Sequence, residues 1–173
     1  FFTDLAEKRK ILAVINPISG TSNKETMPET IMRCIDTRRF DVSVRFTQHA
    51  SHATILTEEA ISEHYYGVLA VGGDGTINEV AAALRDSGTA LGIVPCGSGN
   101  GLARHLGIPM NAEKALEIIN LDNIEALDYC TANDRPFFCT CGVGFDAHVS
   151  QKFAEAKKRG PLSYIQKTLA EYL

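Results

Sequence analysis

Short, largely apolar runs recur along the chain at Ile11–Ile15, Val42–Phe46, Val68–Val71 and Leu91–Val94, each bounded by turn-forming residues. Runs of this kind predict strands buried on both faces of a sheet. Between them the apolar positions fall at helical spacing: Thr30–Ile35 after a polar loop, Ala53–Ile61, Ile77–Leu84, and Ala112–Ile119, where Ala115, Leu116 and Ile119 form one stripe. Strands alternating with helices predict βαβα organisation on a parallel sheet, an α/β fold. No internal repeat or low-complexity segment interrupts the pattern.

The pattern changes near residue 124. Ile124–Tyr129, the polar Thr131-Ala132-Asn133-Asp134, and Phe137–Cys141 predict two strands joined by a short turn. After Gly144 the chain becomes polar and helical, with Leu162, Ile165 and Leu169 on one stripe. The expected organisation is an α/β domain over residues 1–123 and the beginning of a β-rich second domain over residues 124–173. That second stretch is too short to complete a core.

Composition narrows the classes. The 173 residues carry 21 acidic against 17 basic side chains, a formal charge of −4, with 45% hydrophobic and 22% charged residues. This is ordinary for a globular protein. An acidic balance argues against a nucleic-acid binder that works by bulk phosphate attraction. No apolar run approaches the roughly 20 residues of a membrane-spanning helix. Asp4, Glu7, Lys8, Arg9 and Lys10 exclude a secretory signal, and the opening Phe1-Phe2 reads as a trimmed start. The five cysteines, Cys34, Cys96, Cys130, Cys139 and Cys141, have no zinc-type spacing, and their odd number opposes a disulfide framework. They are expected as buried free thiols in a reducing cytoplasm, with Cys139 and Cys141 sharing one strand face.

Nine of the 14 glycines lie between Gly67 and Gly101. Three glycine-bearing loops each follow a predicted strand: NPISGTSN (Asn16–Asn23), GGDGT (Gly72–Thr76) and PCGSGNG (Pro95–Gly101). In a parallel sheet all three lie along the carboxyl edge, where ligands bind at the switch point in strand order. Gly72, Gly73 and Gly75 let an anion approach the backbone amides. The helix beginning near Ile77 turns its free N–H groups and positive end toward phosphate oxygens. Gly97, Gly99 and Gly101 form a second concavity, and Asn16, Ser19 and Gly20 offer donors to a terminal phosphate. Asp74 would repel a phosphate unless a metal bridged the two, a role suited to Mg²⁺ held by one or two carboxylates plus nucleotide phosphates. Structural roles compete with these. Thr76-Ile77-Asn78-Glu79 is a capping box, Ser22-Asn23-Lys24-Glu25 a cap, and Asn16-Pro17 a turn. Neither a Walker-type P-loop nor a G-x-G-x-x-G after the first strand is present.

NPISG, GGDGTINEV and PCGSGNGLAR, in this order and at these separations, resemble the diacylglycerol kinase catalytic domain family, which includes bacterial lipid kinases, sphingosine kinases and ceramide kinases. The later LDYCTANDRPFFCTCGVGFDAHV is similar to the family's crossing into its second domain, so the resemblance spans Ile11 to Val149. NAD kinases and phosphofructokinases share the GGDG loop; the INEV continuation and the GSGNGLAR segment favour the lipid-kinase branch. The resemblance implies a three-layer, NAD kinase/phosphofructokinase-like α/β domain with ATP in a cleft against a β-rich domain. Asn16, Pro17, Ser19 and Gly20 match the first nucleotide loop. Gly72, Gly73, Asp74, Gly75, Thr76, Ile77 and Asn78 match the central phosphate loop. Ser98, with Gly97, Gly99 and Asn100, matches the third. Thr47 matches a nucleotide-contacting threonine, or serves as a strand-end turn residue.

The implied activity is ATP-dependent transfer of the γ-phosphoryl group to a hydroxyl of a diacylglycerol- or sphingoid-like lipid. Asp74 would be the catalytic carboxylate, acting with Mg²⁺ or orienting the acceptor. Asp146 matches a position linked to the lipid head group, and equally reads as the N-cap of a helix from Ala147. The family's general base and structural Mg²⁺ ligands would fall beyond Leu173, so low turnover is expected of these residues alone. Arg104 and His105 read as surface or helix-face residues, and Lys157-Lys158-Arg159 as a solvated loop or a contact to an anionic membrane. The implied partners are ATP and a lipid substrate, with peripheral membrane contact from a cytoplasmic location; no nucleic acid is expected, and a homodimer through the incomplete second domain is a separate alternative. The alternatives are an NAD kinase-like small-molecule kinase and a non-catalytic nucleotide-binding module.

Overall fold

A computed structural model describes residues 7–20, 24–144 and 147–148. The elements run β1 (Arg9–Ile15), α1 (Met27–Cys34), β2 (Phe40–Phe46), α2 (His52–Ser62), β3 (Gly67–Gly72), α3 (Asp74–Leu84), β4 (Ala90–Pro95), α4 (Gly101–His105), α5 (Ala112–Leu121), β5 (Cys130–Ala132) and β6 (Arg135–Phe137). The four apolar runs between Ile11 and Val94 are the strands of one parallel four-stranded sheet, ordered β2-β1-β3-β4. All of β3 is buried, which accounts for a sequence without polar alternation.

The sheet divides two apolar layers. Leu12, Val14, Val68, Ala70 and Ile93 pack with Leu56 of α2, Val80 of α3 and Leu102 of α4. Ile11, Ala13, Ile15, Leu69, Val71 and Val94 pack on the opposite face with Ile31 of α1 and Leu116 of α5. The α/β fold is therefore three-layered, and its parallel strands send all their following loops to one edge.

The amino edge is held by a charged and aromatic cluster. Asp122, in left-handed geometry (φ 58°) after α5, accepts from the Tyr66 hydroxyl at 2.7 Å. It also pairs with Arg9 at 2.6 Å and Arg39 at 3.0 Å. The Arg9 guanidinium lies 4.3 Å from the Tyr66 ring centre and 4.8 Å from that of Phe40. Burial works against ionisation of Asp122. The hydrogen bonds from Tyr66 and Arg9 and the charges of Arg9 and Arg39 outweigh it and hold the carboxyl below its ordinary value. A depressed carboxyl stabilises the fold fully above its unfolded value of about 4 and loses that contribution as pH falls through the folded value. Asp122→Asn keeps the left-handed turn but not the charge. It is expected to cost about 1 kcal/mol near neutrality and progressively less in acid, measured as the difference in urea midpoint between the two proteins across pH.

The structure corrects three expectations. The hairpin is shorter than predicted: β5 pairs antiparallel with β6 through Asn133 and Asp134, both at positive φ (48° and 63°), the arrangement of a two-residue primed turn. Residues 124–129 and 138–141 are not strands, and a proline at 136 removes a ladder donor from an already minimal pair. The cysteines are not buried: Cys130, Cys139 and Cys141 are exposed, and Cys34 and Cys96 half-buried. Cys130 belongs to the small hairpin, and Cys139 and Cys141 follow the end of its second strand, so they share no strand face. Finally, α3 begins at Asp74 rather than near Ile77, so its first turn takes in the central glycine loop. Residues Ser22, Asn23, Asp146, Lys157, Lys158, Arg159, Leu162, Ile165 and Leu169 lie outside the described residues. Among the described residues no helix is long and apolar enough to cross a membrane.

Candidate functional site

Strand order reverses between β1 and β3, so the loops leaving these two strands flank the switch-point crevice. Asn16 spans it. Its N–H donates to the Val71 carbonyl at 3.0 Å, and its Nδ2 donates to Thr76 Oγ1 at 3.0 Å. Its Oδ1 accepts the Ile18 N–H at 3.1 Å, which fixes the turn through the exposed Pro17. Ser19 is buried and donates its hydroxyl to the Asn16 carbonyl at 2.9 Å. Its proton is thus spent inside the loop rather than offered to a phosphate. Thr47 follows β2 at the same edge, its N–H on the Ile15 carbonyl at 2.8 Å.

The glycines mostly serve contact between loops. A Cβ on Gly20, which has φ +63°, would overlap the Cys96 carbonyl oxygen, so the first loop lies directly on the third. A Cβ on Gly97 would fall 2.5 Å from Gly73 Cα, so the third loop also lies on the second. Gly75 differs, with open space where its Cβ would be.

Helix α3 begins at Asp74, three residues before Ile77. Thr76 is therefore inside the first turn and cannot cap it. Its hydroxyl meets Asn16, while Glu79 accepts the Ser51 N–H at 3.2 Å at the start of α2. The capping box is not formed, and no side chain caps α3, whose first-turn N–H groups at Asp74, Gly75 and Thr76 lack intrahelical acceptors.

Asp74 instead caps the next helix. Its Oδ2 accepts the Asn100 N–H at 2.8 Å and its Oδ1 the Gly101 N–H at 2.6 Å, so the second loop grips the N-terminus of α4. Asn100 is buried, at φ 56°, and its side chain closes the third loop on itself. Oδ1 accepts the Gly97 N–H at 2.9 Å and Nδ2 donates to the Gly97 carbonyl at 2.7 Å. Its side-chain amide thus braces the third loop. Among the described residues, the exposed Ser98 and Gly99 have N–H groups without a protein acceptor. Arg104, read from sequence as a surface or helix-face residue, is exposed on α4 and fastens this loop by donating from Nε to the Gly99 carbonyl at 2.8 Å.

A cavity of about 520 Å³ opens over these groups, lined by Asp74, Gly75, Ile77, Asn78, Gly99, Gly101 and Leu102 and by residues 138–140. Phe138 seats that far wall: it packs on the α2/α3 layer and on the Tyr129 ring at 5.7 Å, itself 5.5 Å from the Arg85 guanidinium. Sequence reading missed this wall, because nothing in a Phe-Cys-Thr run signals which loop it will face. Among the described residues no three His, Cys, Asp or Glu side chains cluster to hold a metal. Asp74 offers a cation only the lone pairs left by its two amide bonds. That donor set suits Mg²⁺, which keeps several waters and takes phosphate oxygens for the rest.

Residues 10–132 match the diacylglycerol kinase catalytic domain. The chain is 37% identical over 131 residues to a "Probable lipid kinase YegS-like" of Enterobacter sp. (strain 638), covering 72% of this chain and 44% of that protein. It is 29% identical over 162 residues to a "Diacylglycerol kinase" of Staphylococcus carnosus, covering 91% and 53%. It thus spans about half the length of these relatives. A crystal structure of a diacylglycerol kinase from Bacillus anthracis superposes with a TM-score of 0.64 at 27% identity, covering 75% of this chain and 49% of that one. The chain belongs to the diacylglycerol kinase catalytic domain family, a family of kinases.

Proposed function

We propose that the protein is an ATP-dependent lipid kinase, with residues 1–123 forming its nucleotide-binding domain and residues 124–173 opening a β-rich second domain. The observation that carries this reading is the interlock of three loops at the switch-point edge, with the uncapped first turn of α3 facing the cavity. The amides of Asp74, Gly75, Thr76, Ser98 and Gly99 cradle the phosphates, as helix N-termini and glycine loops do. Asn16 and Thr47 bound the nucleotide on the β1 and β2 side. Phosphoryl transfer needs mainly positioning and charge stabilisation. The acceptor hydroxyl oxygen bonds to the γ-phosphorus as the bond to the β–γ bridging oxygen breaks and ADP leaves, and the hydroxyl proton passes to a general base supplied by the second domain. Asp74 aligns the second and third loops around that centre. Asp74, together with phosphate oxygens, would hold Mg²⁺, which would neutralise charge on the phosphates.

The acceptor is a lipid hydroxyl, as the names of the relatives suggest, and Asp146 is proposed beside the head group. The protein would work in the cytoplasm in peripheral contact with a membrane. Incubation with radiolabelled ATP, Mg²⁺ and vesicles containing a diacylglycerol or a sphingoid base is expected to label the lipid. Label on added NAD instead would favour a small-molecule kinase, and bound ATP with no transfer would mark a binding module.

A further inference from the structure

The β5–β6 ladder ends early. Cys130 opposite Phe137 is its outermost pair, so Tyr129 and Phe138 are the next positions out on the two arms. Their ring centres lie 5.7 Å apart. Phe138 packs on the layer that holds Ile77, Val80 and Leu84 of α3 and Leu102 of α4. Arg85, the residue after α3, lies against the other ring of the pair. Its Nε donates to the Ala82 carbonyl at 3.2 Å, and its guanidinium sits 5.5 Å from the Tyr129 ring centre. The two-stranded sheet is separate from the four-stranded one. Among the described residues, no hydrogen bond or ion pair joins residues 124–144 to that sheet or its helices. Apolar and cation–π contacts therefore dock this stretch, with Phe138 at their centre.

Helix α3 carries the uncapped first-turn amides at one end and Arg85 just past the other, so the phosphate cradle and the seat of the far wall share one element. Beside the Phe138 ring, Cys139 Sγ lies 3.0 Å from where a Cβ on Gly101 would be, and Gly101 gives its N–H to Asp74. Phe138 is thus one residue from a contact with the loop that Asp74 grips. A ring that leaves its seat takes residues 139 and 140 away from that carboxylate. We propose that Phe138 is a positioning residue for the acceptor: seated against α3 and Tyr129, it sets the distance between the 138–140 wall and Asp74 and so places the acceptor hydroxyl in line with the γ-phosphate. This role rests on the lipid-kinase reading above. Misplacement near 1 Å can cost about 10²-fold in rate. The third loop keeps its own hydrogen bonds to Asp74, Asn100 and Arg104 when the ring is lost, so nucleotide binding is spared.

The test measures steady-state transfer and calorimetric ATP binding for the full-length protein and for its Phe138→Ala, Phe138→Leu and Arg85→Ala variants. The probe is vesicles of diacylglycerol or of sphingoid base, whichever the wild type labels. Phe138→Ala is expected to lower kcat roughly 10- to 100-fold while the ATP dissociation constant stays within about twofold. Phe138→Leu refills the seat and is expected to recover most of that loss. Arg85→Ala removes only the exposed cation beside Tyr129 and is expected to lower kcat roughly two- to fivefold. Should Phe138→Ala fail to fold, Arg85→Ala decides, and an unchanged kcat there would overturn the role. Wild-type kcat in Phe138→Ala, or ATP affinity falling in step with kcat, would make Phe138 a packing element and overturn the inference alone. A wild-type protein that labels neither lipid would overturn the lipid-kinase reading itself.

Discussion

Asp74→Asn is expected to reduce phosphoryl transfer by about 10²–10³-fold, the scale of losing one preorganised electrostatic group. The carboxylate receives two backbone N–H groups, from Asn100 and Gly101, one on each oxygen. Asparagine keeps one acceptor and turns an NH₂ toward the other N–H, replacing a charge-assisted bond with a repulsive contact. That costs about 1.5–3 kcal/mol at the N-terminus of α4. The Ser98 and Gly99 amides are carried on the same loop, so they shift with it, and misplacement near 1 Å can cost about 10²-fold in rate. The sheet does not depend on this contact, so circular dichroism should stay native and the melting temperature fall by only a few degrees. Turnover near the wild-type value would remove Asp74 from the working centre.

Gly20→Ala is the largest expected stability effect of a single methyl group. At φ +63° a Cβ costs roughly 1–2 kcal/mol in backbone conformation alone. Its overlap with the Cys96 carbonyl oxygen demands that the first and third loops separate, adding about 1–3 kcal/mol. Together these remove a substantial part of a typical stability of about 5–15 kcal/mol. Gly75→Ala is the control. Its Cβ meets open space inside α3, so chemical denaturation should show unchanged or slightly raised stability while ATP affinity falls. If Gly20→Ala melted like the wild type, the contact between the first and third loops would not be a structural necessity.

The parallel sheet was legible because β1, β3 and β4 are sandwiched between helical layers and leave an unbroken apolar signature, and strands of that kind imply where the glycine loops must lie. The identity of the phosphate-facing groups was less legible. Thr76 and Glu79 satisfy a capping pattern, yet three-dimensional neighbours, Asn16 and Ser51, claim both side chains. Glycine spacing alone does not separate Gly20 and Gly97, which allow loops to touch, from Gly75, which faces space. The hairpin strands were overdrawn because apolar residues 124–129 and 138–141 sit outside a pair only three residues long on each side. Phe138 packs on a helical layer instead of continuing the strand.

The central claim is that the interlocked loops of the carboxyl edge bind nucleotide phosphates. The most direct measurement is a titration of ¹⁵N-labelled protein with MgATP, followed by amide chemical shifts. The account predicts the largest changes at Gly75, Thr76, Ser98 and Gly99 and at the Asn16 side-chain amide, with the amino-edge residues Arg9, Tyr66 and Asp122 unmoved. Shifts centred on the amino edge, or none at saturating nucleotide, would contradict it.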